Sequence, residues 1–153
     1  MMKVRALTPN DFNEVQRIHS EGNQEIAARE KLLPAHDTGY GGSWVDVTSD
    51  ELGDPSHCHL VVDLSGHCAG WGHAYVVQAP DQTLIGYIAA IYVASSMRRR
   101  GVATALLNSL IEWLEGQKPN RIELTVVANS EAAEVYRRRG FRPFLETLVH
   151  EPR

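Results

Sequence analysis

Apolar residues recur along this chain with two different periods, and the changes of period mark its elements. Val4 to Leu7 is a short β-rich run, and the residues behind it carry the signals of a helix start. Thr8 serves as N-cap, Pro9 takes the first helical position and Asp11 completes a capping-box pattern. Phe12, Val15, Ile18 and His19 follow at helical spacing and form the buried stripe of a first helix. A second, less regular helical stretch is predicted over Asn23 to Leu33, closed by Pro34, and DTGYGGSW after it reads as a mobile loop. The pattern then turns to strand. His59 to Leu64 and Ala69 to Gln78, separated by Ser65 and Gly66, predict two antiparallel strands with a tight connection.

Thr83 to Val93, TLIGYIAAIYV, is nearly all apolar, as a central strand covered on both faces must be. Helical spacing returns at Gly101 to Glu115, where Val102, Leu106, Leu107, Leu110, Ile111 and Leu114 form one stripe that ends at Gly116. Arg121 to Val127 predicts another buried strand. Asn129 or Ser130 caps a last helix with Glu131 in its first turn, Arg137 to Arg139 in its last and Gly140 as its stop. Phe141 to His150 is predicted as a terminal strand. Strands and helices in this order are compatible with an α+β fold, a central sheet flanked by helices, and no linker or repeat divides residues 1–153 into more than one domain.

Composition narrows the function classes. The 153 residues carry a formal net charge of -4, which argues against general nucleic-acid affinity, because binding a phosphate backbone calls for a basic surface. No run of about 18 apolar residues occurs, and the first residues lack the apolar segment of an export signal, so a cytoplasmic protein without a membrane partner is expected. Cys58 and Cys68 are then expected as free thiols.

Against that acidic background, MRRRGVATALLN, from Met97 to Asn108, concentrates positive charge where a buried strand breaks into a helix. Such a junction aims free backbone N–H groups and the positive end of a helix dipole at one spot. Gly101 and Ala103 let an anion approach the backbone closely, while Arg98, Arg99 and Arg100 add charge around it. The pattern fits a phosphate site; it also fits close helix packing.

The run Arg98 to Ala103, R-R-R-G-V-A, resembles the Q/R-x-x-G-x-G/A signature of the GCN5-related N-acetyltransferase (GNAT) superfamily. Its context resembles that superfamily too. IAAIYVASSMRRRGVATALL is similar to the fourth strand, pyrophosphate loop and third helix, and ELTVVANSEAAEVYRRRGF to the fifth strand and fourth helix, over Leu84 to Phe144. The resemblance implies an acyl-CoA N-acyltransferase fold with a mixed, mostly antiparallel sheet. It implies an enzyme that moves the acetyl group of acetyl-CoA to a primary amine by direct attack in a ternary complex, without a metal. Carried over by position, backbone groups of Ile91 and Val93 pair with the pantetheine arm. The amides of Arg98, Arg99, Arg100, Gly101, Val102, Ala103 and Thr104 grip the pyrophosphate, and Asn129 contacts the pantetheine. Tyr136 is the expected general acid: a phenol of pKa ~10 can return a proton to a departing thiolate. The same resemblance is compatible with a homodimer.

One departure from the family pattern leaves the proton-accepting group open. Many members carry an acidic residue on the fourth strand where this chain has Ala89 and Ala90, so Glu123, His73, Asp63 or a water chain must substitute. The gap also motivates an alternative, a non-catalytic acyl-CoA-binding sensor or partner-binding module. A third constellation is His57, Cys58, His59, His67, Cys68 and His73, whose side chains include common zinc ligands. Strand alternation puts His57 and His59 on one face and Cys58 on the other, with no paired C-x-x-C, so no metal is expected. For the acceptor, Asp37, Asp46, Asp50, Glu51 and Asp54 with Tyr40, Trp44, Trp71 and Tyr75 form a rim suited to a small cationic amine, or an ordinary solvated loop.

Overall fold

The computed structural model describes residues 1–32 and 44–153. Five strands, β1 (Met2–Ala6), β2 (His57–Leu64), β3 (His67–Gln78), β4 (Leu84–Val93) and β5 (Arg121–Leu124), form one sheet in sequential order. All neighbours are antiparallel except β4 and β5, which are joined by the crossover helix that parallel strands require. The helices are α1 (Phe12–Arg29), α2 (Trp44–Glu51), α3 (Val102–Gly116) and α4 (Glu131–Arg138). The mixed, mostly antiparallel sheet between helices agrees with the expected α+β class.

The capping box at Thr8 forms, although it opens a 3-10 turn over Pro9–Asp11 that runs straight into α1. Asp11 accepts hydrogen bonds from the Thr8 amide (2.8 Å) and from both terminal nitrogens of Arg5 (2.8 Å each), and Arg5 also grips Asp63 of β2 at 2.7 Å. The Arg5 guanidinium holds the Asp11 carboxyl down to about 2. This network ties β1, β2 and the start of α1 together.

Two cores fill the faces of the sheet. On one, α3 buries all six residues of its predicted stripe. It comes close because β3 and β4 present glycines there: a Cβ at Gly72 or Gly86 would lie 2.9 Å from the side chain of Leu110 or Leu114. On the other face, Leu7, Val15, Val61 and Trp71 form the core beneath α1, with Ala90 and Tyr92 packed against it.

Several expectations are corrected. The two predicted N-terminal helical stretches are one helix, because Ser20, Glu21 and Gly22 interrupt the apolar stripe without breaking the backbone ladder. Leu33, Pro34 and the loop expected after them lie outside the described residues, apart from Trp44, whose backbone begins α2. β5 stops at Leu124, three residues short of the predicted strand end. The predicted terminal strand over 141–150 does not form. Its apolar residues come as adjacent pairs, Phe144-Leu145 and Leu148-Val149, rather than alternating, and Pro143 offers no N–H to a ladder. Leu145 and Leu148 are 82% and 87% exposed. Cys58 and Cys68 are free thiols, as expected.

Candidate active site

β4 and β5 pair only from Ile85↔Arg121 to Ile88↔Leu124. Beyond that point β5 ends, while β4 runs on to Val93, held by β3 alone through pairs that include Ala90↔His73 and Val93↔Gly70. The register slips between His73 and Ala74, so Ala89 is the extra residue of a bulge at the point of divergence. The Val93 carbonyl faces away from β3 and accepts a 3.4 Å bond from Arg98 Nε. In an extended strand every second residue shares an edge, so the N–H and C=O of Ile91 point the same way, into the gap. The two positions singled out on β4 therefore expose backbone groups on one open edge.

The arginine run lies beside that edge. After a 3-10 turn over Ser95–Met97, Arg99 (φ 61°) and Gly101 (φ 82°) take left-handed conformations that turn the chain into α3. Gly101 is the N-cap, and the first intrahelical bond is donated by Ala105 to its carbonyl (3.0 Å). The N–H groups of Val102, Ala103 and Thr104 precede that bond, at the positive end of a fifteen-residue helix. Val102 is buried and anchors the turn in the core, whereas Arg99 and Arg100 are exposed. Arg98 ties the loop to α1 through Glu25, at 2.8 Å.

Across the gap, Ser130 and not Asn129 caps α4: its hydroxyl accepts from the Ala133 amide (3.1 Å) and donates to the Val127 carbonyl (2.7 Å). Asn129 is exposed in a left-handed conformation (φ 59°) and has no part in the cap. Tyr136 projects from α4, its ring edge-on to Phe141 at 6.1 Å and packed against the α3-side core. Burial raises its hydroxyl above the usual phenol range, which keeps the proton on the oxygen at neutral pH.

Of the groups considered as proton acceptors, Asp63 is gripped by Arg5 at 2.7 Å and Glu123 by Arg121 at 2.9 Å. His73 lies opposite Ala90, beside the bulge, and burial, with the neighbouring His59 acting in the same direction, holds it down to about 3. It belongs to a cluster that sequence spacing only half discloses. His57, His59 and His73 share the α1 face of β2 and β3 and converge on Glu51 at the end of α2. Burial would raise the Glu51 carboxyl, but the bond from His59 and the nearby histidines more than reverse this and leave it below its usual range. His59 and His73 stack at 3.9 Å between centroids, and Tyr75 stacks on His57 (5.3 Å) and on Tyr87 (5.2 Å).

The proposed acceptor rim divides. Asp46 and Asp50 are exposed on α2, and Asp54 accepts from the Ser56 amide and hydroxyl in a tight turn. Trp71 belongs to the core, only 3% exposed, because its face of β3 packs under α1. Asp37 and Tyr40 lie outside the described residues, as does the side chain of Trp44. No helix among the described residues is long and apolar enough to cross a membrane.

Comparison with known proteins adds independent findings. The chain is 30% identical over 143 residues to the L-amino acid N-acetyltransferase AaaT of Escherichia coli, covering 90% of this chain and 81% of that one. A GCN5-related N-acetyltransferase from Ralstonia eutropha has the same fold, with a TM-score of 0.74 at 22% identity over 99% of each chain. AAC(6')-Iy, in complex with the bisubstrate analogue CoA-S-monomethyl-acetylneamine, gives a TM-score of 0.71 at 18% identity over 100% of this chain and 99% of its own. The model of the acetyltransferase (GNAT) family matches residues 25–141, from within α1 through the parted strands to the end of α4, and the chain belongs to that family of enzymes.

Proposed function

We propose that this protein is an acetyl-CoA-dependent N-acetyltransferase that acts on a primary amine of a small molecule, with both substrates bound at once. The observation that carries the reading is the open β4 edge ending beside the uncapped first turn of α3. An extended amide chain can add to that edge as a strand would, and a pyrophosphate at its end meets the helix N-terminus. Acetyl-CoA supplies the thioester carbonyl. Ile91 and Val93 offer the backbone groups for the pantetheine arm, Asn129 flanks it, and the amides from Arg98 through Thr104 receive the phosphates.

In the transfer the amine nitrogen forms the new C–N bond as the C–S bond breaks. The backbone N–H of Ile91 faces the gap in which the carbonyl oxygen gains charge. Tyr136 passes its proton to the departing sulfur and takes one back from solvent, into which the amine releases its own. The exposed carboxylates of Asp46 and Asp50 favour a cationic acceptor near α2. The E. coli relative is named for L-amino acids and the ligand of AAC(6')-Iy is an acetylneamine adduct, which favours a small amine as acceptor.

Alanines at 89 and 90, where an acid is often found, are what favours the non-catalytic sensor. Release of free CoA thiol with a panel of amino acids, aminoglycosides and simple primary amines separates the readings. Turnover with at least one is expected, and Tyr136→Phe lowers kcat by about 10²–10⁴-fold with acetyl-CoA affinity unchanged. Cofactor binding without turnover on the whole panel would establish the sensor instead, and acetylation confined to protein substrates would overturn the small-molecule acceptor.

A further inference from the structure

Glu51, His57 and His73 bring three metal-ligating atoms to one point. His57 Nδ1 and His73 Nε2 are 2.9 Å apart, His73 Nε2 and Glu51 Oε2 3.2 Å, and His57 Nδ1 and Glu51 Oε2 3.6 Å. A tetrahedral ion with bonds of about 2.0–2.1 Å separates its ligand atoms by about 3.3–3.4 Å, so each side of this triangle is within about 0.5 Å of that in one face of a zinc coordination shell, and an ion there would replace the hydrogen bond between His57 Nδ1 and His73 Nε2. We propose that these three residues form a binding site for a divalent transition-metal ion of the zinc class, with the fourth coordination position left to water or a ligand.

His59 lies equally close but has a different role. Trp71 Nε1–H donates to His59 Nδ1 at 3.1 Å, and an indole nitrogen can only donate. His59 must therefore accept at Nδ1 and carry its proton on Nε2, where it donates to Glu51 Oε2 at 2.5 Å. It cannot ligate through that nitrogen; it fixes the carboxylate, as an outer partner of a metal ligand does. Trp71, His59 and Glu51 thus form a chain that orients the acidic ligand, while stacking of His73 on His59 and of Tyr75 on His57 fixes the imidazoles.

The donor set names the ion. Two imidazoles and one carboxylate suit Zn²⁺, Co²⁺ or Ni²⁺, whereas Mg²⁺ and Ca²⁺ take shells of oxygen ligands. Neither cysteine takes part: Cys58 packs into the α3-side core, and Cys68 packs against the cluster around Leu7 and Val15, away from the three ligands. A cleft of about 190 Å³ lined by Leu7, Glu51, Leu52, His57, Cys58 and His59 opens beside two of the three ligands, Glu51 and His57. The sequence argues against a metal because alternation parts Cys58 from His57 and His59 and no C-x-x-C occurs; it does not reveal that α2 brings Glu51 to the histidines.

The test uses the full chain stripped of metal with a chelator and titrated with Zn²⁺ by calorimetry, and with Co²⁺ by visible absorption. One ion per chain and the intense d–d bands of four-coordinate Co²⁺ are expected. Glu51→Gln and His57→Gln each lower Zn²⁺ affinity at least 100-fold, His59→Gln lowers it about 10–100-fold as loss of an outer partner does, and His67→Ala leaves it unchanged. Thermal melts of the metal-free variants check that each is folded, and His57, at the rim of the cluster, is the substitution the fold tolerates best. Wild type that binds Zn²⁺ no more tightly than the Glu51→Gln/His57→Gln double variant would overturn the site. None of these readouts involves acetyl-CoA, so loss of the transferase reading would leave the result standing.

Discussion

Replacing Gly22 by alanine sets two effects against each other. In the interior of α1 alanine is the better helix former by about 0.8–1.0 kcal/mol. At this position, however, a Cβ would overlap Cδ1 of Tyr92 and lie 2.6 Å from Cε1. Comfortable carbon–carbon contact is about 3.5–4.0 Å, so the ring or the helix must move by about 1 Å. The ring is pinned: its hydroxyl donates to Asn23 Oδ1 at 2.5 Å, it stacks on Trp71 at 5.8 Å and it meets the edge of His19 at 4.8 Å. Turning it out sacrifices a hydrogen bond worth about 1 kcal/mol and ring contacts worth about 0.5–1.5 kcal/mol each. Withdrawing α1 instead uncovers Val15 and Ile18, which are 0% and 1% exposed. Against the gain in propensity, a net loss of about 1–3 kcal/mol is expected. Equilibrium urea unfolding measures it, with Gly116→Ala as the control, because a Cβ there meets nothing within 4 Å and stability should rise. Gly22→Ala at least as stable as wild type would refute the close packing of α1 on β4.

The carboxyl of Asp11 has its folded pKa depressed from 3.8 to about 2, so its stabilisation is complete above about pH 4 and is lost as pH falls towards 2. Its side chain is only 10% exposed, and the shift corresponds to about 2 kcal/mol. Asp11→Asn should cost at least that much at pH 7 and flatten the decline of stability between pH 4 and 2; parallel pH–stability curves for variant and wild type would contradict it. The C-terminal segment makes the opposite kind of prediction. With Leu145 and Leu148 82% and 87% exposed, ending the chain after Phe144 should leave Tm within about 2 °C, and a larger drop would show that the segment packs in solution.

Local periodicity carried much of this fold. The α3 stripe, the strands β2, β3 and β4 and the Thr8–Asp11 capping pattern depend on residues within a few turns of each other, and each formed where the sequence put it. The strand–turn–helix junction at Arg98 to Ala103 was legible for the same reason, because the glycine that must turn lies beside the helix it starts. What failed depends on distant partners. Phe141 to His150 had apolar content but no alternation to hold it in a sheet. Arg5 meets Asp63 across 58 positions, and no spacing rule links them. Glu51 was visible as one acid among several in a loop; only the docking of α2 onto β2 and β3 makes it the centre of the histidine cluster. Asn129 and Ser130 were equivalent caps in the sequence, and the left-handed backbone at Asn129 decides for Ser130.

Calorimetric titration with acetyl-CoA of the wild type and of Gly101→Glu tests whether the β4 edge and the α3 N-terminus form the cofactor site. Gly101 is exposed, and a carboxylate at a helix N-terminus is itself favourable, so the variant should fold despite some backbone strain at φ 82°. Its charge would stand where the pyrophosphate must lie. The account predicts micromolar binding of one acetyl-CoA per wild-type chain and at least 100-fold weaker binding by the folded variant. No binding by wild type, or equal binding by both proteins, would contradict it.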